Sequence, residues 1–211
     1  MKISDIREKS KKSNPSNEIY TELIIRRISP YFSWLFLNLK ISANKITLIG
    51  EVISLIGVVF LGYGKFLIGA LLLQLGYILD CSDGEVSRYS KTSSKQGEFL
   101  DLIGHLIIIP CMWFAVGIGL YELFPAKLLI IFGLTSGLFS LKLEKMIFPS
   151  KKGMDIGRTS LLQSQFRYPG NMNWITILSL TPFLLMLYLI TNTLALIYGR
   201  LRGIYREFKS L

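Results

Sequence analysis

The sequence is poor in charge and in the residues that build disulfide frameworks and zinc sites. Of its 211 residues, 18% are charged, two are cysteine and one is histidine. Two cysteines are too few for a disulfide framework, and neither Cys81 nor Cys111 has the closely spaced Cys or His partners of a zinc site. These shortages argue against a disulfide-stabilised secreted domain and against a structural zinc protein.

Features that would divide the chain or direct it elsewhere are also missing. The sequence contains no Pro-, Ser- or Gly-rich linker, low-complexity tract or internal repeat, so we expect one domain. The N-terminus is polar and basic without a short apolar core, so we do not expect a removable signal peptide. The formal net charge is +10, but the basic residues form no stripe interleaved with aromatics, which argues against nucleic-acid binding.

Apolar residues, by contrast, are abundant. They make up 51% of the chain, and the mean hydropathy of +0.45 is typical of a protein that resides in lipid. A helix needs about 20 mostly apolar residues to cross a hydrocarbon core about 30 Å thick. We therefore predict an all-α integral membrane protein with a six-transmembrane-helix bundle. The spans are 46–63, 66–79, 99–120, 126–143 and two short or tilted ones within 172–205, separated by a turn near Pro182 or Asn192.

The N-terminal residues have a different pattern. Residues 1–18 are rich in Lys, Ser and Asn and predict a flexible basic arm, followed by a single membrane domain over residues 19–208. Residues 19–40 mix apolar side chains with Glu22, Arg26, Arg27 and Pro30, which favours an amphipathic interfacial helix. Transmembrane helices then follow from about residue 44 onward. A kinked spanning helix is the alternative for residues 19–40.

The distribution of Lys and Arg predicts the orientation. Almost all of them lie before residue 46, between the second and third spans, between the fourth and fifth, or after the last. Positive charge is retained on the cytoplasmic side of a membrane. We therefore expect a multi-pass protein of the cytoplasmic (inner) membrane whose termini and 80–105 region face the cytoplasm.

A polar segment, residues 80–105, connects the second and third spans. Charged residues beside spanning helices are costly, so a cluster of them predicts function. Residues three and four apart share a helix face. Those that share a face are Asp80, Asp83 and Ser87 on the first helix, and Gly97, Asp101 and His105 on the second. A short polar turn between the helices would let the two faces meet.

The residue types in this segment suit a metal site that binds phosphate. Three converging carboxylates, from Asp80, Asp83 and Asp101, repel one another and need cations nearby. Mg²⁺ or Mn²⁺ prefers carboxylate oxygen, and a pair of such ions can clamp a diphosphate during an in-line displacement. Glycine allows close approach of a ligand, and arginine pairs with phosphate. The residues concerned are Gly84, Gly97 and Arg88.

Eight positions of this segment resemble the signature of the CDP-alcohol phosphotransferases, D-x2-D-G-x2-A-R-x8-G-x3-D-x3-D. Six of the eight agree, while Ser87 stands in place of Ala and His105 in place of the last Asp. Upstream, residues 42–47 (SANKIT) resemble that family's Pro-Asn-x-(Ile/Val)-Thr motif, with Ala43 in place of Pro. The resemblance is thin beyond Ile147.

The resemblance implies six transmembrane helices, a homodimer, two divalent ions, and transfer of a substituted phosphate group from a CDP-alcohol to an acceptor hydroxyl with release of CMP. The acceptor would be a lipid, a polyol phosphate or a glycan, in phospholipid or cell-envelope biosynthesis. The implied metal ligands are Asp80, Asp83 and Asp101, joined by His105. The residues implied to contact the CDP moiety are Gly84, Ser87, Arg88 and Gly97.

His105 stands where such enzymes carry the aspartate that is taken to be the general base. A neutral imidazole accepts a proton near pH 7 and can ligate a metal, so we expect His105, with Asp101, to be catalytic. The alternatives are another base, or a catalytically impaired homologue that acts as a CDP-alcohol and metal-binding membrane scaffold. Ion transport is a third class, since intramembrane carboxylates also line ion pathways.

Further polar residues have weaker signals. Lys142, Lys145 and Arg158 are candidates for acceptor binding, although a basic cytoplasmic loop is expected in any case. Ser93 and Ser94 could contact cytidine, but serine in a polar turn usually serves the turn itself.

Overall fold

The computed structural model describes residues 3–10, 20–141 and 168–209 of the 211-residue chain. Within these ranges the chain is helical and contains no strand, which confirms the all-α prediction. A π-helical segment, Thr21–Ile25, runs directly into the second helix. The α-helices are α1 Ile3–Lys9, α2 Arg26–Asn38, α3 Ala43–Gly62, α4 Phe66–Ser90, α5 Lys95–Leu123, α6 Leu128–Ser140, α7 Tyr168–Leu178 and α8 Pro182–Lys209.

Four of the described helices are long and apolar enough to cross a membrane. They are α3, α4, α5 and the Pro182–Gly199 part of α8. The apolar helix α6 has 13 residues, and α7 has 11, against the roughly 20 that a full crossing needs. The chain is thus a multi-pass membrane protein, but four candidate spans do not establish the predicted six. The predicted turn before the last helix falls at Pro182, which begins α8, and not at Asn192.

The polar segment between the second and third spans is mostly helical. The predicted span 66–79 continues as α4 to Ser90, and Lys91 follows as the C-cap in the left-handed conformation, with a φ of 55°. Ser94 then caps α5, since its Oγ accepts a hydrogen bond of 3.1 Å from the backbone N–H of Gly97. The connection from 91 to 94 is short, so the polar ends of α4 and α5 lie at the same end of the bundle. Ser94 thus caps α5, while contact of Ser93 and Ser94 with cytidine stays a prediction.

Helix α3 packs against both α4 and α5. The contact with α4 is close because glycines face each other at Gly57 and Gly69. A Cβ at Gly57 would lie 2.8 Å from the Gly69 carbonyl oxygen, and a Cβ at Gly69 would lie 2.7 Å from the Gly57 carbonyl oxygen. Small residues at a helix interface allow backbones to approach in this way. Helix α3 consequently forms a third wall beside the polar ends of α4 and α5.

The N-terminal residues contain a short helix where the sequence predicts a flexible arm. Helix α1 contacts α2 and α4, and its Ile6 is fully buried. Arg7 Nη2 donates to the Arg27 carbonyl over 3.2 Å. The division into an arm, 1–18, and a membrane domain, 19–208, stays a prediction.

Helix α2 presents serines to α4 and apolar side chains outward. Ser29 Oγ and Ser33 Oγ each donate to the carboxylate of Glu85, both over 2.6 Å, and Glu85 is buried. The large exposed side chains of α2 and of the π-helical segment before it include Leu23, Ile28, Tyr31 and Leu35. An outward apolar surface suits contact with lipid. The position of residues 19–40 at the membrane interface stays a prediction.

Replacing Ser33 by Ala is expected to destabilise the fold by about 1.5–3 kcal/mol, because the buried Glu85 carboxylate loses one of its two serine donors. Thermal unfolding in detergent measures the loss. The matched control is Ser54→Ala: Ser54 is equally buried, but its hydroxyl bonds the Gly50 carbonyl of its own helix. Equal melting temperatures for the two variants would show that Glu85 does not depend on Ser33.

Candidate active site

Three polar side chains converge where α4 ends and α5 begins. One potential ligand atom each from Asp80, Asp101 and His105 lies within 4.8 Å of the other two. Asp101 is exposed, while Asp80 and His105 are partly buried. Two of the three residues are four apart on α5, and Asp80 faces them from α4. The structure thus brings together three of the four residues that the sequence predicts as metal ligands.

The imidazole of His105 is oriented by Asp101. Its Nδ1 lies 2.9 Å from the Asp101 carbonyl oxygen and 3.1 Å from Asp101 Oδ1. Both oxygens are acceptors, so Nδ1 carries a proton and donates. In the neutral ring Nε2 then holds the lone pair, which is the form that accepts a proton or ligates a metal.

Asp83, the fourth predicted ligand, is held by α3. Thr47 Oγ1 donates to Asp83 Oδ2 over 2.5 Å. Asp83 lies one helical turn after Asp80 and lines the same cavity, although it is outside the cluster of three. Thr47 belongs to the SANKIT stretch, so this contact gives that stretch a structural role beside the signature.

Two adjoining cavities share these carboxylates. A small one, of about 30 Å³, is lined by the cluster residues together with Glu51 and Thr47 of α3. The larger one, of about 380 Å³, is within the size range of small-molecule sites. The predicted site residues that line the larger cavity are Asp80, Asp83, Gly84, Ser87, Arg88, Gly97 and Asp101.

The two signature glycines lie close to polar side chains. A Cβ at Gly97 would lie 3.0 Å from Asn44 Oδ1, and a Cβ at Gly84 would lie 3.0 Å from Arg88 Nη1. The guanidinium of Arg88 therefore folds back over Gly84. Its Nε donates to the Ser10 carbonyl over 2.6 Å. Arginine has five N–H donors, and Arg88 lines the larger cavity.

Sequence reasoning missed the contribution of α3. Asn44, Thr47 and Glu51 all line one or both cavities. The signal that could have found Glu51 is its charge, since a carboxylate within an apolar span marks a functional position. Lys142, Lys145 and Arg158, the candidates for acceptor binding, lie outside the residues that the structure describes.

Comparison with known protein families decides the class of the protein. The model of the CDP-alcohol phosphatidyltransferase family matches residues 40–199, which is most of the 211-residue chain. The chain belongs to the CDP-alcohol phosphatidyltransferase family. The resemblance seen in the signature is thereby confirmed, and the protein is an enzyme that transfers substituted phosphate groups.

The fold agrees with a solved structure, that of the phosphatidylinositol phosphate synthase of Mycobacterium tuberculosis with CDP-DAG bound. The two chains superpose with a TM-score of 0.52 at 16% sequence identity, over 79% of this chain and 94% of the other. At this identity the likeness shows the shared fold. A comparison with curated proteins finds no significant match.

The site of this CDP-alcohol phosphatidyltransferase fits a divalent cation. Carboxylate oxygens are the preferred ligands of Mg²⁺ and Mn²⁺, and a histidine nitrogen is compatible with them. Asp80 and Asp101 supply such oxygens within 4.8 Å of each other and of His105. In addition, the buried Glu51 Oε1 beside them has no hydrogen-bond partner among the described residues. A buried carboxylate oxygen without a hydrogen-bond donor favours a cation.

Proposed function

We propose that this protein transfers a substituted phosphate group from a CDP-alcohol to an acceptor hydroxyl, with release of CMP, at the divalent-metal site formed by Asp80, Asp83, Asp101 and His105. The observation that carries the proposal is the convergence of Asp80, Asp101 and His105 beside a cavity of about 380 Å³. That cavity is lined by the residues expected to contact the CDP moiety, Gly84, Ser87, Arg88 and Gly97.

In the proposed reaction, the acceptor oxygen attacks the phosphorus that bears the alcohol. The bond from this phosphorus to the bridging oxygen breaks, and CMP leaves with that oxygen. His105 accepts the proton of the acceptor hydroxyl at Nε2, because Nδ1 is already engaged by Asp101. The aspartates would hold a Mg²⁺ or Mn²⁺ pair, which would supply charge stabilisation to the diphosphate.

Other residues of the site bind and orient the donor. Arg88 lines the larger cavity, where a diphosphate would pair with its guanidinium in fork geometry. Gly84 and Gly97 leave room against the two helices, and Thr47 holds the Asp83 carboxylate in one orientation. Fixed positions of this kind reduce the entropy that the reaction must lose at its transition state.

The donor is proposed to be a lipid-linked CDP-alcohol such as CDP-diacylglycerol. The family supports a CDP-alcohol, and the similar solved structure contains CDP-DAG. Purified full-length protein, Mg²⁺ and a panel of CDP-alcohols are incubated with membrane extract or with single acceptors, and CMP is quantified. We expect CMP with one donor class and a matching phosphodiester product. Absence of CMP with every donor and acceptor, in protein that binds a CDP-alcohol, would overturn the proposal.

That last outcome would favour a second candidate, a CDP-alcohol and metal-binding membrane scaffold without turnover. The observation in its favour is His105, which removes a negative charge from the signature. The oriented imidazole favours the catalytic proposal instead, since Asp101 prepares Nε2 to accept a proton.

The placement in the membrane is likewise a proposal. Positive charge near the N-terminus and around residues 80–105 supports a cytoplasmic site and cytoplasmic termini, with six crossings. The hydrogen bond from Arg88 to Ser10 supports placing the N-terminus on the same side of the membrane as the site, because it holds the N-terminal helix at the same end of the bundle. The family resemblance further supports a homodimer, which mass measurement in detergent can test.

A further inference from the structure

Glu51 is a charged residue in the middle of an apolar helix. It lies on α3, within a candidate membrane span, and its Oε1 is buried. Among the residues that the structure describes, this oxygen has no hydrogen-bond partner. A carboxylate in such surroundings is costly unless a cation or donor compensates it. The position therefore calls for a partner that the described residues do not provide.

The side chain of Glu51 is directed at α5, next to His105. A Cβ at Gly104 would overlap Glu51 Oε1, so the carboxylate occupies space that only glycine leaves open. Glu51 also lines the same cavity of about 30 Å³ as Asp80, Asp101 and His105. A fourth carboxylate, from a third helix, thus lines the cavity of the proposed metal site, although like Asp83 it lies outside the cluster of three.

The number of negative charges at the proposed metal site explains why Glu51 matters. The signature has four aspartates, whereas this chain has three, with His105 at the fourth position. A neutral imidazole can donate a lone pair but brings no negative charge, and affinity for hard divalent cations depends on the number of charged ligands. Counting Glu51 restores the site to four carboxylates.

We propose that Glu51 is a ligand of the divalent cation and supplies the carboxylate that His105 replaces. This inference rests on the proposed function, since it assigns a further ligand to the same metal site. It also separates two roles that the last signature aspartate would combine. Glu51 provides the charge for the metal, and His105 keeps Nε2 for the proton of the acceptor.

Titration with Mn²⁺ tests this ligand without reference to activity. Full-length protein in detergent is titrated with Mn²⁺, and free Mn²⁺ is followed by its paramagnetic resonance signal. We expect Glu51→Gln to weaken binding by about 10–100-fold, the range found when a group that supports a metal site is removed. The isosteric control is Glu122→Gln on α5, an exposed position 17 residues beyond His105, which should bind Mn²⁺ as wild type does.

A charge exchange makes the test specific. Adding His105→Asp to Glu51→Gln returns the fourth carboxylate to its signature position, so we expect the double variant to recover most of the lost affinity. An apolar variant of similar length, Glu51→Met, suits a membrane span and gives the same readout should the Gln variant fold poorly.

The outcomes separate this inference from the proposed function. Unchanged Mn²⁺ affinity in Glu51→Gln, together with clear loss of affinity in Asp80→Asn, would overturn the role of Glu51 as a ligand but not the metal site. Glu51 would then be only a neighbour of His105. Unchanged affinity in both variants would overturn the metal site itself. Loss in both, with recovery in the exchanged double variant, supports both proposals.

Discussion

Replacing Asp80 by Asn is expected to reduce CMP release by about 10³-fold or more. Charge stabilisation by a bound metal is worth several kcal/mol, and each 1.4 kcal/mol corresponds to about tenfold in rate. Asp80 is the one member of the cluster contributed by α4, and it lines both cavities. Asparagine keeps the size of the side chain but removes its negative charge. The effect should therefore fall on metal binding and turnover, with little change in folding.

Initial rates of CMP release at saturating donor and Mg²⁺ provide the measurement. Glu122→Gln, which removes a carboxylate from an exposed position remote from both cavities, is the matched control and should turn over at the wild-type rate. Thermal unfolding of both variants checks that the proteins are folded. Wild-type turnover in Asp80→Asn would remove this aspartate from the site.

The second large effect is expected at His105. His105→Ala should lower turnover by about 10²–10⁴-fold, the usual contribution of a positioned general base, while donor affinity changes far less. His105→Asp restores the residue that the signature carries at this position, and it should retain measurable activity. Parallel measurement of kcat and of CDP-alcohol binding distinguishes a loss of chemistry from a loss of binding.

Turnover is expected to fall more than donor affinity because of the geometry around the His105 imidazole. Nδ1 is held by the carbonyl and the carboxylate of Asp101, at 2.9 and 3.1 Å, so Nε2 is the nitrogen prepared for the acceptor proton. Equal turnover for wild type and His105→Ala would assign proton removal to another group. A parallel loss of Mn²⁺ binding would instead identify His105 chiefly as a ligand.

Much of the fold and part of the site could be predicted because the relevant signals are local. Long apolar runs predicted helices where the structure has α3, α4, α5 and α8. Spacing along two helices placed Asp101 and His105 on one face, and a short turn brought Asp80 opposite them. Periodicity and turn length suffice for such inferences, since neither depends on the rest of the chain.

The other contacts of the site depend on which helices pack together, and a single sequence does not contain that information. Helix α3 lies beside both α4 and α5, which places Thr47 against Asp83 and Glu51 beside Gly104. The contact between Arg88 and Ser10 likewise joins positions far apart in sequence. The shortness of α6 was also not predicted, because a run of apolar residues indicates hydrophobicity but not where a helix begins and ends.

The central claim is that the Asp80–His105 region is a metal-dependent site for CDP-alcohol transfer. The most direct test is CMP release by metal-stripped full-length protein that is titrated with Mg²⁺ in the presence of its donor and acceptor. We predict no release without added metal, recovery with Mg²⁺ or Mn²⁺, and no recovery in Asp80→Asn at any metal concentration. Undiminished release by the metal-stripped wild type, or equal recovery in Asp80→Asn, would contradict the account.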